Sequence, residues 1–105
     1  MTRCAVTVVN PLGLHARAAA RFVHLASRYA ASVRVSRGTR EIDGKSIMGL
    51  LLLSASRGSS VTISADGDDE ADAIAALCAL VARGFDEAAI GYGDSRPADR
   101  RRGES

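Results

Sequence analysis

The sequence predicts an α+β domain in which three helices cover one face of a four-stranded antiparallel sheet, in the order β-α-β-β-α-β-α. Three observations carry that expectation. Four short segments alternate apolar and polar residues with a single inward face, as in an antiparallel sheet whose other face is wet. Two longer segments repeat apolar residues at spacings of three and four, and a short apolar run behind a serine supplies a third helix. Two of the strands are joined by a tight turn containing glycine, the mark of a hairpin.

The first strand runs from Arg3 to Val9, with Cys4, Val6 and Val8 on one side and Arg3, Ala5 and Thr7 on the other. Asn10-Pro11-Leu12-Gly13 stops it with turn chemistry. A helix follows from about Ala16 to Tyr29; Ala19, Phe22, Val23, Ala26 and Tyr29 form its apolar face, and Arg17, Arg21, His24 and Arg28 lie mostly elsewhere. Ser32 to Ser36 is the second strand, turning inward Val33 and Val35. Arg37-Gly38 turns the chain into the third strand, Arg40 to Asp43, which carries Ile42. After the Asp43-Gly44 break, the Ser46 hydroxyl can accept from a free amide and cap a short helix over Ile47 to Leu53. The Arg57-Gly58-Ser59 loop leads to the fourth strand, in which Val61, Ile63 and Ala65 alternate with Thr62 and Ser64. The last helix opens on Asp68, Asp69, Glu70 and Asp72, which suit the positive end of the macrodipole. Ile74, Leu77, Cys78 and Val81 form its buried stripe, and Arg83-Gly84 ends it. The reading is one folded domain over residues 1–88 and a flexible tail over 89–105, where Ser, Pro, Asp, Arg and Gly dominate.

Composition narrows the function. Among 105 residues, 47% are apolar and 25% charged, the balance of a globular domain. The net charge of +2 owes much to Arg96, Arg100, Arg101 and Arg102, so the body is near neutral and no nucleic-acid partner is expected. Cys4 and Cys78 fall on apolar faces and read as buried free thiols in a reducing compartment. Met1-Thr2-Arg3 leads straight into a strand, so no secretion leader is expected. No apolar run reaches the roughly 18 residues of a membrane span. A cytoplasmic protein without membrane insertion follows.

The residues that carry chemistry are Gly13-Leu14-His15-Ala16-Arg17. His15 stands where a turn meets a helix. The first-turn amides of Ala16, Arg17 and Ala18 have no intrahelical partners and, with the dipole, favour an anion. A phosphate on His15 would sit over those donors, with Arg17 adding a charge-assisted contact. Imidazole suits a carrier: one ring nitrogen is nucleophilic while the other keeps a hydrogen bond. There is no P-loop, no glycine-rich nucleotide cradle and no acidic pair placed for magnesium. Cys4, Cys78, His15 and His24 have no zinc-like spacing, so neither a metal nor a cofactor is expected. His24, between Arg21 and Arg28, reads as a solvated helix residue rather than a second catalyst.

Asn10-Pro11-Leu12-Gly13-Leu14-His15-Ala16-Arg17 resembles the active-site signature of the HPr family, the histidine phosphocarriers of the bacterial phosphotransferase system. Asp43-Gly44-Lys45-Ser46-Ile47-Met48-Gly49-Leu50 resembles the segment around that family's regulatory serine. The resemblance implies an open-faced β-sandwich and a phosphoryl group on Nδ1 of His15. It implies enzyme I, charged by phosphoenolpyruvate, as donor and IIA-type proteins as acceptors, with no small-molecule turnover by the chain itself. Ser46 would be the target of an HPr kinase/phosphorylase. Within the family, Gly13 to Ala18 resembles the nitrogen-type (NPr) branch more than the sugar-transport carriers. A short helix on a sheet buries one side only, so Ile47 to Leu53 holds more apolar residues than it can hide. The resemblance makes the surplus a docking patch, with Ile47, Met48 and Leu51 as candidates and Ala20, Arg21 and His24 extending it beside Arg17. A shuttle that must let go is expected as a monomer with small interfaces.

The chain departs from the family pattern at Ala18, where proline is usual. Alanine keeps the helix and adds one N–H near the phosphate. Two other classes remain: a binding module of the same fold working without phosphorylation, and a phosphatase using His15 as nucleophile. The histidine argues against the first, and the absence of a metal site or second acid/base against the second.

Overall fold

In a computed structural model that describes residues 1–87, strands β1 (Thr2–Thr7), β2 (Ser32–Arg37), β3 (Arg40–Asp43) and β4 (Ser60–Asp66) form one antiparallel sheet in the order β1-β4-β2-β3. Helices α1 (Ala16–Ala26), α2 (Ile47–Leu52) and α3 (Glu70–Ala82) accompany it, followed by a 3-10 turn over Gly84–Asp86. The tail expected from residue 89 lies outside the described residues. β4 enters between β1 and β2, so β1 and β2 run parallel and α1 is the crossover between them, as parallel strands require.

Register sets the two faces. Cys4 pairs with Ile63, Ile63 with Val35, and Val35 with Ile42, a row that points under the helices. One residue along, Arg3, Ser64, Arg34 and Asp43 form the matching row on the open face. Side chains on a strand alternate, so one register fixes both rows. Phe22 from α1, Leu50 and Leu53 around α2, Leu77 and Val81 from α3, and Phe85 fill the core over Ile63.

The elements differ from expectation at their ends. β1 stops at Thr7; Val8 instead bonds the loop before β4, through Ser59 O and Gly58 N. α1 gives way to turns after Ala26 rather than running to Tyr29, and Asp69 accepts the Ala30 and Ala31 amides at 2.8 and 2.9 Å and draws the chain toward β2. Those two bonds hold the Asp69 carboxyl below its ordinary value. They also explain why Asp69, at the N-cap of α3, makes no capping bond there.

Cys4 and Cys78 are not free thiols: they form a disulfide between β1 and α3. Both were expected on inward faces, and the bridge arises because those two faces meet. Register on β1 and periodicity on α3 place each sulfur, but neither fixes the crossing of helix over strand.

Glu70, at the start of α3, accepts from the Thr2 hydroxyl at 2.5 Å and the Gly67 amide at 3.2 Å, and pairs with the Met1 ammonium at 3.0 Å. The Thr2 and Gly67 bonds, then the ammonium, lower its pKa to about 2 from an ordinary 4.5. The folded value is depressed, so this contribution to stability is complete above pH 4.5 and is lost as pH falls toward 2. A carboxyl titration followed by NMR is expected to show Glu70 at about 2. Glu70→Gln should flatten the acid limb of the stability curve, and a Glu70 midpoint near 4.5 would contradict the assignment.

Candidate functional site

The site begins at the turn after β1. Gly13 has φ +67°, and a Cβ there would lie 2.6 Å from Ala55 O and 2.9 Å from the Ser56 Cα. Only glycine allows that approach, and the contact seats the loop on the connection between α2 and β4. The Leu14 amide donates to Ala55 O at 2.9 Å, holding it there.

His15 follows as the N-cap of α1, in extended backbone at φ −84° and ψ 179°. Its carbonyl takes the Ala19 N–H at 2.8 Å, and its Nδ1 accepts the Arg17 N–H at 3.3 Å. Among the described residues, no backbone acceptor meets the N–H groups of Ala16 and Ala18. The half-buried ring turns its other nitrogen, Nε2, to the carboxylate of Glu87. Since Nδ1 accepts, the proton belongs on Nε2 in the neutral ring, which leaves the Nδ1 lone pair at the mouth of α1.

Glu87 is itself held. It is 3% exposed, and its Oε1 accepts from Asn10 Nδ2 at 3.1 Å. The same Asn10 nitrogen donates to Gly13 O at 2.7 Å, so one amide joins the acid to the histidine loop. Glu87 arrives through three successive left-handed residues, Gly84 (φ 75°), Phe85 (φ 57°) and Asp86 (φ 64°). Such conformations cost non-glycine residues about 1 kcal/mol or more each and persist where the surroundings hold them. Here Phe85 is buried in the core, Arg21 Nη1 donates to Phe85 O at 2.6 Å, and Arg83 Nε donates to Asp86 Oδ1 at 2.5 Å. The Arg83 guanidinium also lowers the Asp86 carboxyl below its ordinary value.

The remaining expected residues fall on two neighbouring helices. Arg17, Ala20 and His24 are exposed along α1. With Arg21, Leu25, Leu80, Arg83 and Asp86 they line an open groove of about 520 Å³ whose rim carries three arginines and one aspartate. Ala18 is fully buried, its amide at the helix mouth. Ser46 is the N-cap of α2, its Oγ accepting the Gly49 N–H at 3.1 Å. α2 packs against α1 and leaves Ile47 and Met48 exposed. Leu51 is half-buried against the core, and the neighbouring Leu52 takes the exposed position at 58%. Arg21 is half-buried and partly spent on the Phe85 carbonyl.

Asn10 and Glu87 were not found from the sequence. Asn10 reads as a turn residue, and Glu87 stands beyond the Arg83-Gly84 helix stop, with no spacing that connects it to His15. Among the described residues no three His, Cys, Asp or Glu side chains gather to hold a metal ion, and no helix is long and apolar enough to cross a membrane.

The family model for the PTS HPr component phosphorylation site matches residues 2–83. The chain belongs to the HPr family of phosphocarriers. Phosphocarrier protein HPr of Cupriavidus necator is 49% identical over 81 residues, covering 77% of this chain and 91% of that protein. Phosphocarrier protein NPr of Shewanella violacea is 42% identical over 83 residues, covering 79% and 91%. Relatives of both names thus match over similar lengths of the chain. The crystal structure of HPr-C-His from Thermoanaerobacter tengcongensis superposes with a TM-score of 0.80 at 41% identity, covering 83% of this chain and 98% of that one. The family-model match ends at residue 83, while Phosphocarrier protein HPr of Neisseria meningitidis aligns over 87 residues, at 40% identity, and so reaches the left-handed turn that delivers Glu87.

Proposed function

We propose that the chain carries a phosphoryl group on Nδ1 of His15, taken from enzyme I charged by phosphoenolpyruvate and passed to IIA-type proteins of the phosphotransferase system. One observation carries the reading: an imidazole nitrogen with its lone pair free of a proton faces the opening amides of α1. A phosphate bound there replaces Nδ1 as acceptor for Arg17 N–H and meets the amides of Ala16 and Ala18. The helix dipole and the Arg17 guanidinium share its charge. The Ala18 amide is a donor that the family's usual proline lacks.

Partners dock on the face shared by α1 and α2, with Ala20, Arg21 and His24 on one side and Ile47, Met48 and Leu51 on the other; Leu52 joins them by its exposure. Apolar area among arginines suits a partner with an acidic rim and allows quick release. We take the carrier as a monomer acting in the cytoplasm, its folded unit residues 1–88.

The test is incubation with phosphoenolpyruvate and enzyme I. A carrier gains one acid-labile, alkali-stable phosphate and keeps it until an acceptor is added. A binding module gains none, and a phosphatase releases inorganic phosphate; either result would replace the reading.

Ser46 is read as a regulatory site for an HPr kinase/phosphorylase. A phosphate there is tolerated by the start of α2 but sets negative charge beside Ile47 and Met48. Ser46→Asp is expected to slow transfer from enzyme I about ten-fold at low salt and less at high salt. An unchanged rate at low salt would remove Ser46 from the docking face.

A further inference from the structure

We propose that the cleft between the β2–β3 turn and the end of α2 binds a small phosphate monoester with a polyol body, its phosphate held by Arg37 and Arg40. His15 takes no part in it. The two arginines stand where alternation calls for apolar residues. Arg37 keeps the helix-side face of Val33 and Val35, and Arg40 that of Ile42, whereas Glu41 turns to the open face with Ser36. Arg37 and Arg40 therefore lie directly opposite each other across the last rung of the hairpin. Like charges so placed oppose strand pairing. Among the described residues no carboxylate pairs with either one.

Both guanidiniums are aimed and held. Arg37 Nη1 donates to Leu53 O at 3.1 Å and Arg40 Nη1 to Leu52 O at 2.5 Å. Cations at the end of a helix settle its carbonyls, but each of these bonds uses one of the five N–H donors of a guanidinium. Both residues line an open cleft of about 730 Å³, shared with Gly38, Thr39, Leu53 and Ser54, which leaves their other donors for a ligand. Ser54 is unusual in its own right. It takes the left-handed position after α2, at φ 52°, with its N–H donating to Leu51 O at 3.1 Å. Glycine fills that position at least cost; serine instead keeps a hydroxyl on the cleft wall. Two planar forks facing one space suit a dianionic phosphate, which accepts bidentate bonds from each. The Thr39 and Ser54 hydroxyls suit the hydroxyls of a polyol. Among the described residues no aromatic ring lines the cleft for a base to stack on, which sets a sugar or glycerol phosphate ahead of a nucleotide.

The test is an NMR titration of the full 15N-labelled chain with glycerol 3-phosphate at low salt, beside inorganic phosphate and glycerol. Glycerol 3-phosphate is expected to shift the amides of Gly38, Thr39 and Ser54 and the Nε–H signals of Arg37 and Arg40 saturably. Inorganic phosphate should do so more weakly, and glycerol not at all. An anion at the opening of α1 reports separately, through the amides of Ala16, Arg17 and Ala18. Arg37→Gln with Arg40→Gln should weaken the hairpin response about ten-fold or more, the loss expected when charge-assisted bonds are removed, and leave the α1 response as it was. Arg37→Lys with Arg40→Lys serves if the glutamine pair loosens α2. It keeps a charge and a donor for each carbonyl, and should bind about ten-fold more weakly because lysine cannot hold a phosphate bidentately. Added salt should weaken binding to the wild type. A response confined to the α1 amides, or wild-type affinity in both double variants, would overturn the proposal. Binding to phosphatidylcholine vesicles containing phosphatidic acid, without a response to glycerol 3-phosphate, would assign the arginines to a lipid headgroup and overturn it as well.

Discussion

Phosphoryl uptake is expected to be lost completely in His15→Ala, while the domain stays folded. The chain's other histidine, His24, lies exposed on the side of α1 and meets no opening amides, so it cannot take over. The stability cost has two sources. Losing the N-cap acceptor for Arg17 N–H costs about 1 kcal/mol. Leaving the buried Glu87 carboxylate with Asn10 alone adds on the order of 1–3 kcal/mol. His15→Asn separates the two roles, since asparagine caps a helix well but is not a nucleophile. It should be more stable than the alanine variant and equally unable to take phosphate. The measurements are intact mass after incubation with enzyme I and phosphoenolpyruvate, and thermal melting. Label retained in either variant would discard His15 as the carrier.

Reduction of the Cys4–Cys78 bridge should produce the largest change in stability. The bridge spans a sequence separation of 74 residues. In the chain-entropy account, closing a loop of that length in the unfolded state is worth about 4 kcal/mol. For a domain of about 100 residues that corresponds to a fall in melting temperature of roughly 15 °C or more. The native contacts change little, because both sulfurs stay packed between β1 and α3. Cys4→Ser should melt near the reduced wild type and ignore reductant. Two thiols titrating in denatured, unreduced protein, or one melting curve with and without reductant, would remove this source of stability.

Much of the fold was legible because its strands are half-buried. Val33 and Val35, or Val61, Ile63 and Ala65, declare a face by alternation, and register follows once one pair is set. The caps were equally local: Ser46 holds the amide that a capping serine should, three residues on. Tertiary competition decided the rest. Tyr29 continues the apolar spacing of α1, yet the helix gives way to turns after Ala26, and Asp69, about forty residues away in the chain, takes the amides of Ala30 and Ala31 and draws the chain toward β2. Leu51 and Leu52 are indistinguishable in a run of leucines, and only the seat of α2 on the core turns one in and one out. At the site, His15, Ala16 and Arg17 were readable because a helix start is encoded in adjacent residues. Asn10 and Glu87 were not, since their partnership is closed by a turn at the far end of the sequence.

The seating of Gly13 has a mechanical consequence. The loop that presents His15 leans on Ala55, and Ala55 stands just beyond the helix that Ser46 starts. Arg37 and Arg40 hold the other end of that helix by its Leu53 and Leu52 carbonyls, at 3.1 and 2.5 Å. Imidazole and serine thus ride on one frame, anchored to the β2–β3 hairpin. A load applied to the short helix, by a docked protein or an added charge, has a backbone route to the histidine loop through Ala55, beside the side-chain packing of α2 on α1.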